Sequence, residues 1–261
     1  MSFKEMLYAR TRITKKNLPS SYQIVGDILL LKLLRIRSLK QKKRIASAIM
    51  QLFPRIKTVC EIRRVGGEFR KPSIKKLAGN GFETIHKEHK ILYKTDVSKI
   101  MFSKGNLHER KRLIDAVKKD EIVVDMFAGI GYFSLGIAKK AKKVYAIEKN
   151  PVAFKYLKEN IELNKIGNII AINADCRNFA VNENINRIIM GYFPGTERFL
   201  PHALNIMGKG TIHYHNSAKN VEEMKIHIEN SCRNRKFRIR QIKKVKSIAP
   251  GIYHFVADIR I

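Results

Sequence analysis

The segment Val123–Glu148, VVDMFAGIGYFSLGIAKKAKKVYAIE, restricts the fold more than any other part of the chain. A short apolar run ends in Asp125. A turn carrying Gly129 and Gly131 follows, then an apolar-periodic stretch, then a second apolar run closed by Glu148. The order strand, glycine turn, helix, strand opens a nucleotide-type α/β domain. Glycines in such a turn let the backbone approach a ligand, because no Cβ stands in the way. Glu148 lies 23 residues after Asp125, where an acid can accept hydrogen bonds from both hydroxyls of a ribose.

Ser134 stands where a dinucleotide fingerprint has its third glycine. With an acid ending the first strand, that departure points away from a nicotinamide cofactor and toward S-adenosylmethionine (AdoMet). Asp175-Cys176 follows a third strand over residues 169–173. A carboxylate there can take the exocyclic amine of adenine while a backbone N–H meets a ring nitrogen. The competing reading of Asp175 is a helix cap, and that of Glu148 is an exposed surface acid. Three features on successive strand ends argue together for one ligand across the carboxyl edge of the sheet, with the backbone of Gly129 facing it. Ahead of the first parallel strand, Ser103–Arg112 (SKGNLHERKR) mixes donors with an acid. Ser103 and Arg110 can hold a methionine carboxylate, since a guanidinium matches it in charge and shape. Glu109 can act as general base or as an acceptor for a substrate base. The plain alternative is the solvated start of a basic helix.

Charge is the second constraint. Lysine and arginine total 53 against 22 acids, a net of +31. An ordinary small domain carries a net charge of magnitude roughly 2–8, so a polyanion is the expected partner. Residues 1–100 hold 24 of the bases and 7 of the acids, which marks the front of the chain as a phosphate-contacting module. Arg233–Lys246 holds eight bases and no acid: either a track for RNA backbone or an edge strand guarded by its charges. Three distant cysteines fit neither a disulfide framework nor a zinc site, and no metal is expected. No apolar run is long enough for a membrane span, and no signal-peptide pattern opens the chain, so a cytoplasmic location is expected.

Two domains are expected: a basic α+β unit over 1–96 and an AdoMet-binding unit over 97–261. In the first, residues 1–19 read as an arm or a helix, Tyr22–Leu33 as a strand broken at Gly26, and Leu39–Phe53 as a helix stopped by Pro54. Thr58–Val65, Thr84–Tyr93 and Ser98–Phe102 read as strands. In the second, five β/α alternations end in two strands joined by Pro250-Gly251. This is the class I AdoMet-dependent transferase layout: Rossmann-like α/β, a mainly parallel seven-stranded sheet with an antiparallel C-terminal hairpin.

DVSKIMFSKGNLHER, DMFAGIGYFSLGIAKKAKKVYAIEKNP and NADCRNF resemble the enzymes that modify position 37 of tRNA. The resemblance spans residues 20–261. That group holds the guanosine N1-methyltransferases and their wybutosine-synthesising aminocarboxypropyltransferase paralogue. It implies AdoMet contacts at Ser103, Arg110, Glu148, Asp175 and Cys176, and aligns Glu109 with the glutamate proposed as base in the methyltransferases. The methyltransferases carry Asn-Leu-Pro after the fourth strand; here the chain reads Met190-Gly-Tyr192-Phe-Pro-Gly-Thr196. Gly-Tyr with a threonine four residues on is similar to the aminocarboxypropyl branch, as is Met101 where the methyltransferases have an aromatic. The resemblance thus implies transfer of the 3-amino-3-carboxypropyl group of AdoMet to C7 of 4-demethylwyosine at position 37 of tRNA(Phe), with the anticodon stem-loop as partner and Tyr192 and Phe193 as candidates to stack on the base. A monomer with no protein partner is expected. A guanosine-37 N1-methyltransferase, and an RNA-binding protein with a vestigial AdoMet fold, are the alternatives.

Overall fold

A computed structural model describes residues 1–103, 106–232 and 235–261. Lys104 and Gly105 of the Ser103–Arg112 segment, and Arg233 of the basic tail with Asn234, lie outside the described residues. The chain divides into two compact units, Met1–Lys104 and Gly105–Ile261, so that 97–103 cluster with the first unit rather than opening the second.

The first unit begins with α1 (Phe3–Thr11), closed at its start by a Ser2/Glu5 capping box. β1 (Gln23–Val25) and β2 (Ile28–Leu31) form a hairpin whose turn needs Gly26, with φ near 56° and the Thr84 hydroxyl directly against it. The single bent strand expected over 22–33 is therefore two. Ser38 caps α2 (Leu39–Leu52), whose Ile45, Ala46, Ala48 and Ile49 are buried against Leu29, Leu31, Val59 and Leu77. α2 is the crossover between β2 and β3 (Thr58–Gly66), which pair in parallel. β4 (Lys71–Gly79) completes a four-stranded sheet of order β1-β2-β3-β4. β5 (Glu83–Glu88) and β6 (Ile91–Asp96) make a separate hairpin, and Ser98–Phe102 is not a strand.

The second unit holds α3 (Leu107–Ala116), β7 (Ile122–Asp125), α4 (Ser134–Ala138), β8 (Lys143–Ile147), α5 (Pro151–Leu163), β9 (Ile169–Ile172), β10 (Arg187–Met190), α6 (Leu200–Ile206), β11 (Thr211–Ala218), α7 (Val221–Ser231), β12 (Arg238–Ala249) and β13 (Ile252–Arg260). The sheet order is β12-β13-β11-β10-β7-β8-β9, parallel from β11 through β9 and antiparallel in the closing hairpin. Side chains alternate across the sheet, so successive residues serve opposite cores. Val123 and Ile189 pack with Leu113 and Ile137 on one face; Val124 and Ile188 pack with Leu204 and Ile228 on the other. The chain steps from β7 outward to β9, then returns to the far side of β7 with β10. That reversal opens a crevice at the carboxyl ends of β7 and β10. β12 is an edge strand, exposed along Lys243 and Lys244 and broken by three register shifts. No helix among the described residues is long and apolar enough to cross a membrane.

Candidate active site at the carboxyl edge of the parallel strands

The turn after β7 is fastened to the end of β8. The Gly129 N–H donates to Glu148 Oε2 at 2.7 Å, and the Asn150 N–H donates to Oε1 at 2.7 Å. Gly129 sits at φ near 59°, a conformation that favours glycine. Each Glu148 oxygen keeps a second lone-pair direction, so the carboxylate can still accept a ribose diol. Burial raises its pKa, and the backbone donors oppose that rise.

Asp125, at the end of β7, is fully buried and faces the protein interior. It accepts the Ser134 hydroxyl at 2.6 Å and the Phe127 N–H at 3.3 Å. The residue that replaces the third glycine thus anchors the helix to the strand. Burial pushes the Asp125 carboxyl up to about 6, against the pull of those two donors. A raised folded-state pKa means that the native state holds a proton between about pH 4 and 6 which the unfolded chain has released. Stability from this group is therefore gained as the pH falls through 6 and lost as it rises. Wild-type protein should gain on Asp125→Asn, in melting temperature, between pH 7.5 and pH 5.5. A constant difference across that range would contradict the shift.

Asp175 caps a 3-10 turn over Cys176–Asn178 and accepts Arg177 twice through the side chain, at 3.0 and 2.8 Å. Lys149 stands 3.4 Å away. The Arg177 hydrogen bond, ahead of opposing burial, holds the carboxyl well below the usual range. The capping alternative is thus realised, with the Arg177 backbone N–H also donating to Asp175 Oδ1 at 3.1 Å. Cys176 is buried, and burial pushes its thiol up to about 12, so it is a neutral neighbour there.

Arg177 leads to a group the sequence did not announce. Its guanidinium lies 5.2 Å from the Phe199 ring centre; Phe199 meets Phe127 edge-on at 5.0 Å; and Phe127 stacks on Tyr192 at 5.1 Å with planes 24° apart. Phe127, Tyr192 and Phe199 are half-buried. Tyr192 therefore belongs to an aromatic face at the carboxyl ends of β7 and β10, whereas Phe193 is buried and stacks on His254 at 4.0 Å. Gly191 lies where a Cβ would press on the Phe133 ring at 2.6 Å. The Thr196 hydroxyl donates to the Tyr192 carbonyl, and Thr196 is fully buried. The Gly-Tyr-x-x-x-Thr pattern is thus a self-closed loop that sets the Tyr192 ring.

Glu109 and Arg110 are both buried on α3. The Arg110 guanidinium lies 6.0 Å from the Tyr132 ring centre. Glu109 gives both oxygens to Arg112, at 2.7 and 2.8 Å, and Arg112 also reaches Asp258 at 2.7 Å. Asp258 accepts His213 Nδ1 at 2.5 Å, while Arg187 contacts His213 Nε2 at 2.6 Å and Glu121 at 2.7 Å. A guanidinium only donates, so Nε2 accepts and the proton of a neutral His213 sits on Nδ1. Burial lowers the His213 pKa, consistent with that neutral form. Burial would raise Asp258, but His213, Arg112 and Gln241 hold it well below its ordinary value. Ser103 is a half-buried residue of the first unit, whereas the other candidates stand in the second.

The family described as "TRM5/TYW2 methyltransferase domain" matches residues 84–244, and "TYW2 N-terminal domain" matches residues 3–82. The tRNA(Phe) (4-demethylwyosine(37)-C(7)) aminocarboxypropyltransferase of Pyrococcus horikoshii is 42% identical over 254 residues, covering 94% of this chain and 91% of its own. The enzyme of the same name from Methanocaldococcus jannaschii is 40% identical over 250 residues, covering 91% and 96%. The crystal structure of P. horikoshii TYW2 in complex with MeSAdo superposes with a TM-score of 0.84 at 39% identity, over 99% of this chain and 98% of that one. With its class I AdoMet-dependent transferase fold, the chain belongs to the TRM5/TYW2 family, in the branch that carries the TYW2 N-terminal domain.

Proposed function

We propose that the protein transfers the 3-amino-3-carboxypropyl group of AdoMet to C7 of 4-demethylwyosine at position 37 of tRNA(Phe), with AdoMet as co-substrate. The observation that carries the reading is the loop Gly191–Thr196. It replaces the methyltransferases' acceptor clamp with a closed turn that presents Tyr192 beside Phe127. Glu148 would hold the ribose and Asp175 with the Cys176 backbone the adenine. Arg110 would take the methionine carboxylate. In the transfer a bond forms between C7 and the γ-carbon of the methionine chain. The γ-carbon–sulfur bond breaks, sulfur keeps the electron pair, and methylthioadenosine leaves. C7 then releases its proton to solvent water and the ring regains aromaticity. The site's contribution is chiefly placement of the γ-carbon rather than the methyl against the acceptor.

Glu109 serves this as a positioning residue, because both oxygens are committed to Arg112. Glu109→Gln should therefore lower transfer without changing the shape of its pH–rate profile. Loss of a limb of that profile would make Glu109 the base instead.

The base leaves the anticodon-loop stack to react, and Tyr192 supplies a face for it. Stacking on one ring is worth about 1–3 kcal/mol. Tyr192→Ala should thus cut transfer by about tenfold or more with AdoMet affinity unchanged, and Tyr192→Phe should restore it. Unchanged transfer in the alanine variant would remove the stacking role. The bulged, lysine-rich edge of β12 resists strand pairing and favours a monomer. The nucleoside product decides the function: chromatography of a turnover mixture should give methylthioadenosine, and S-adenosylhomocysteine in its place would mark methyl transfer.

A further inference from the structure

The first unit contains a cavity of about 550 Å³ between the segment 16–23 and residues 30–35. Lys4, Lys16, Lys32 and Arg35 line it, and no acidic side chain does. Among the described residues, the ammonium groups of Lys4, Lys16 and Lys32 take part in no ion pair or hydrogen bond. Arg35 is fixed, donating to the Lys16 carbonyl at 2.8 Å and so tying the two walls together. The Tyr22 ring opens into the same space, 39% exposed. It is braced from behind by Phe3 at 4.5 Å and Phe53 at 5.5 Å.

Uncompensated cations around a cleft repel one another, and a bound polyanion relieves that repulsion. A braced ring among separate point charges is the pattern that takes a nucleic-acid backbone together with an unstacked base. We propose that this cavity is a binding groove for a phosphodiester stretch of the tRNA, with Tyr22 stacking on one of its bases. The assignment rests on the tRNA reading above and adds a site to it, carried by the first unit alone. Lys4, Lys16 and Lys32 each neutralise a phosphate, and Arg35 sets the width of the groove.

The test is filter binding of tRNA(Phe) transcript to the full chain across a salt series. Wild type is compared with K4A/K16A/K32A and with K40A/K43A/R44A, which removes equal charge from the exposed face of α2. Each single-strand phosphate contact contributes about 0.7 to the slope of log K against log salt. The groove variant should lose about 2 from that slope and the helix variant well under 1, with melting temperature and AdoMet affinity unchanged in both. Tyr22→Leu keeps an apolar partner for Phe3 and Phe53; it should bind about tenfold more weakly at the wild-type slope. Equal slope losses in the two triple variants would overturn the groove in favour of a diffuse field. A wild-type slope in K4A/K16A/K32A, even with loss of an inorganic phosphate site, would overturn it too. A wild-type protein that binds no tRNA(Phe) would overturn the functional reading and the groove together.

Discussion

Glu148→Ala is expected to weaken AdoMet binding by about 100-fold or more. The carboxylate ends β8 and is the meeting point of two loops, since the Gly129 and Asn150 N–H groups each donate to it at 2.7 Å. Hydrogen bonds to a charged group are worth about 1.5–3 kcal/mol each. Loss of two to a ribose diol removes about 3 kcal/mol, which is roughly 100-fold in affinity. The glycine turn also loses its fastening, so Glu148→Gln should not rescue. Its amide nitrogen would face one of the two backbone donors. Calorimetric titration with AdoMet measures the effect, and a loss below about threefold would show that the ligand lies elsewhere.

Arg112→Ala carries the second large effect, on stability. Arg112 joins Glu109 on its own helix to Asp258 on β13, and both carboxylates are largely shielded from solvent. Removing one partner of a buried ion pair costs about 3–5 kcal/mol, because a desolvated charge is left behind. For a unit of this size that is a fall of roughly 6–20 °C in melting temperature. Neutralising the stranded partner should recover part of the loss, so Arg112→Met with Glu109→Gln should melt above Arg112→Ala. Denaturant unfolding reads both. A loss under 1 kcal/mol would mean that water screens the pair as it would on a surface.

The parallel strands were legible because Lys143–Ile147 and Arg187–Met190 are short apolar runs bounded by polar turns. β4 was not. Its sequence KPSIKKLAG has a proline and three lysines, and it becomes a strand only by pairing with β3. The β5–β6 hairpin read as one strand because its turn residues, His89 and Lys90, take positive φ without the usual glycine or asparagine. In the site, Glu148 and Asp175 could be placed because strand ends fix where a side chain emerges. Phe127 and Phe199 could not, since each lies in an apolar stretch that suits a core equally well. The partnership of Arg112 with Asp258 joins residues 146 positions apart, a pairing that no local pattern records. Both Glu109 oxygens are taken by Arg112, one turn further along the same helix.

The most direct test of aminocarboxypropyl transfer is to incubate the protein with 4-demethylwyosine-containing tRNA(Phe) and AdoMet labelled either at the carboxyl carbon or at the methyl, and to count label retained in the RNA. Carboxyl label retained with methyl label absent is the expected result. Methyl label in the RNA with no carboxyl label would contradict the account and make the protein a methyltransferase whose Gly191–Thr196 loop does not redirect the reaction.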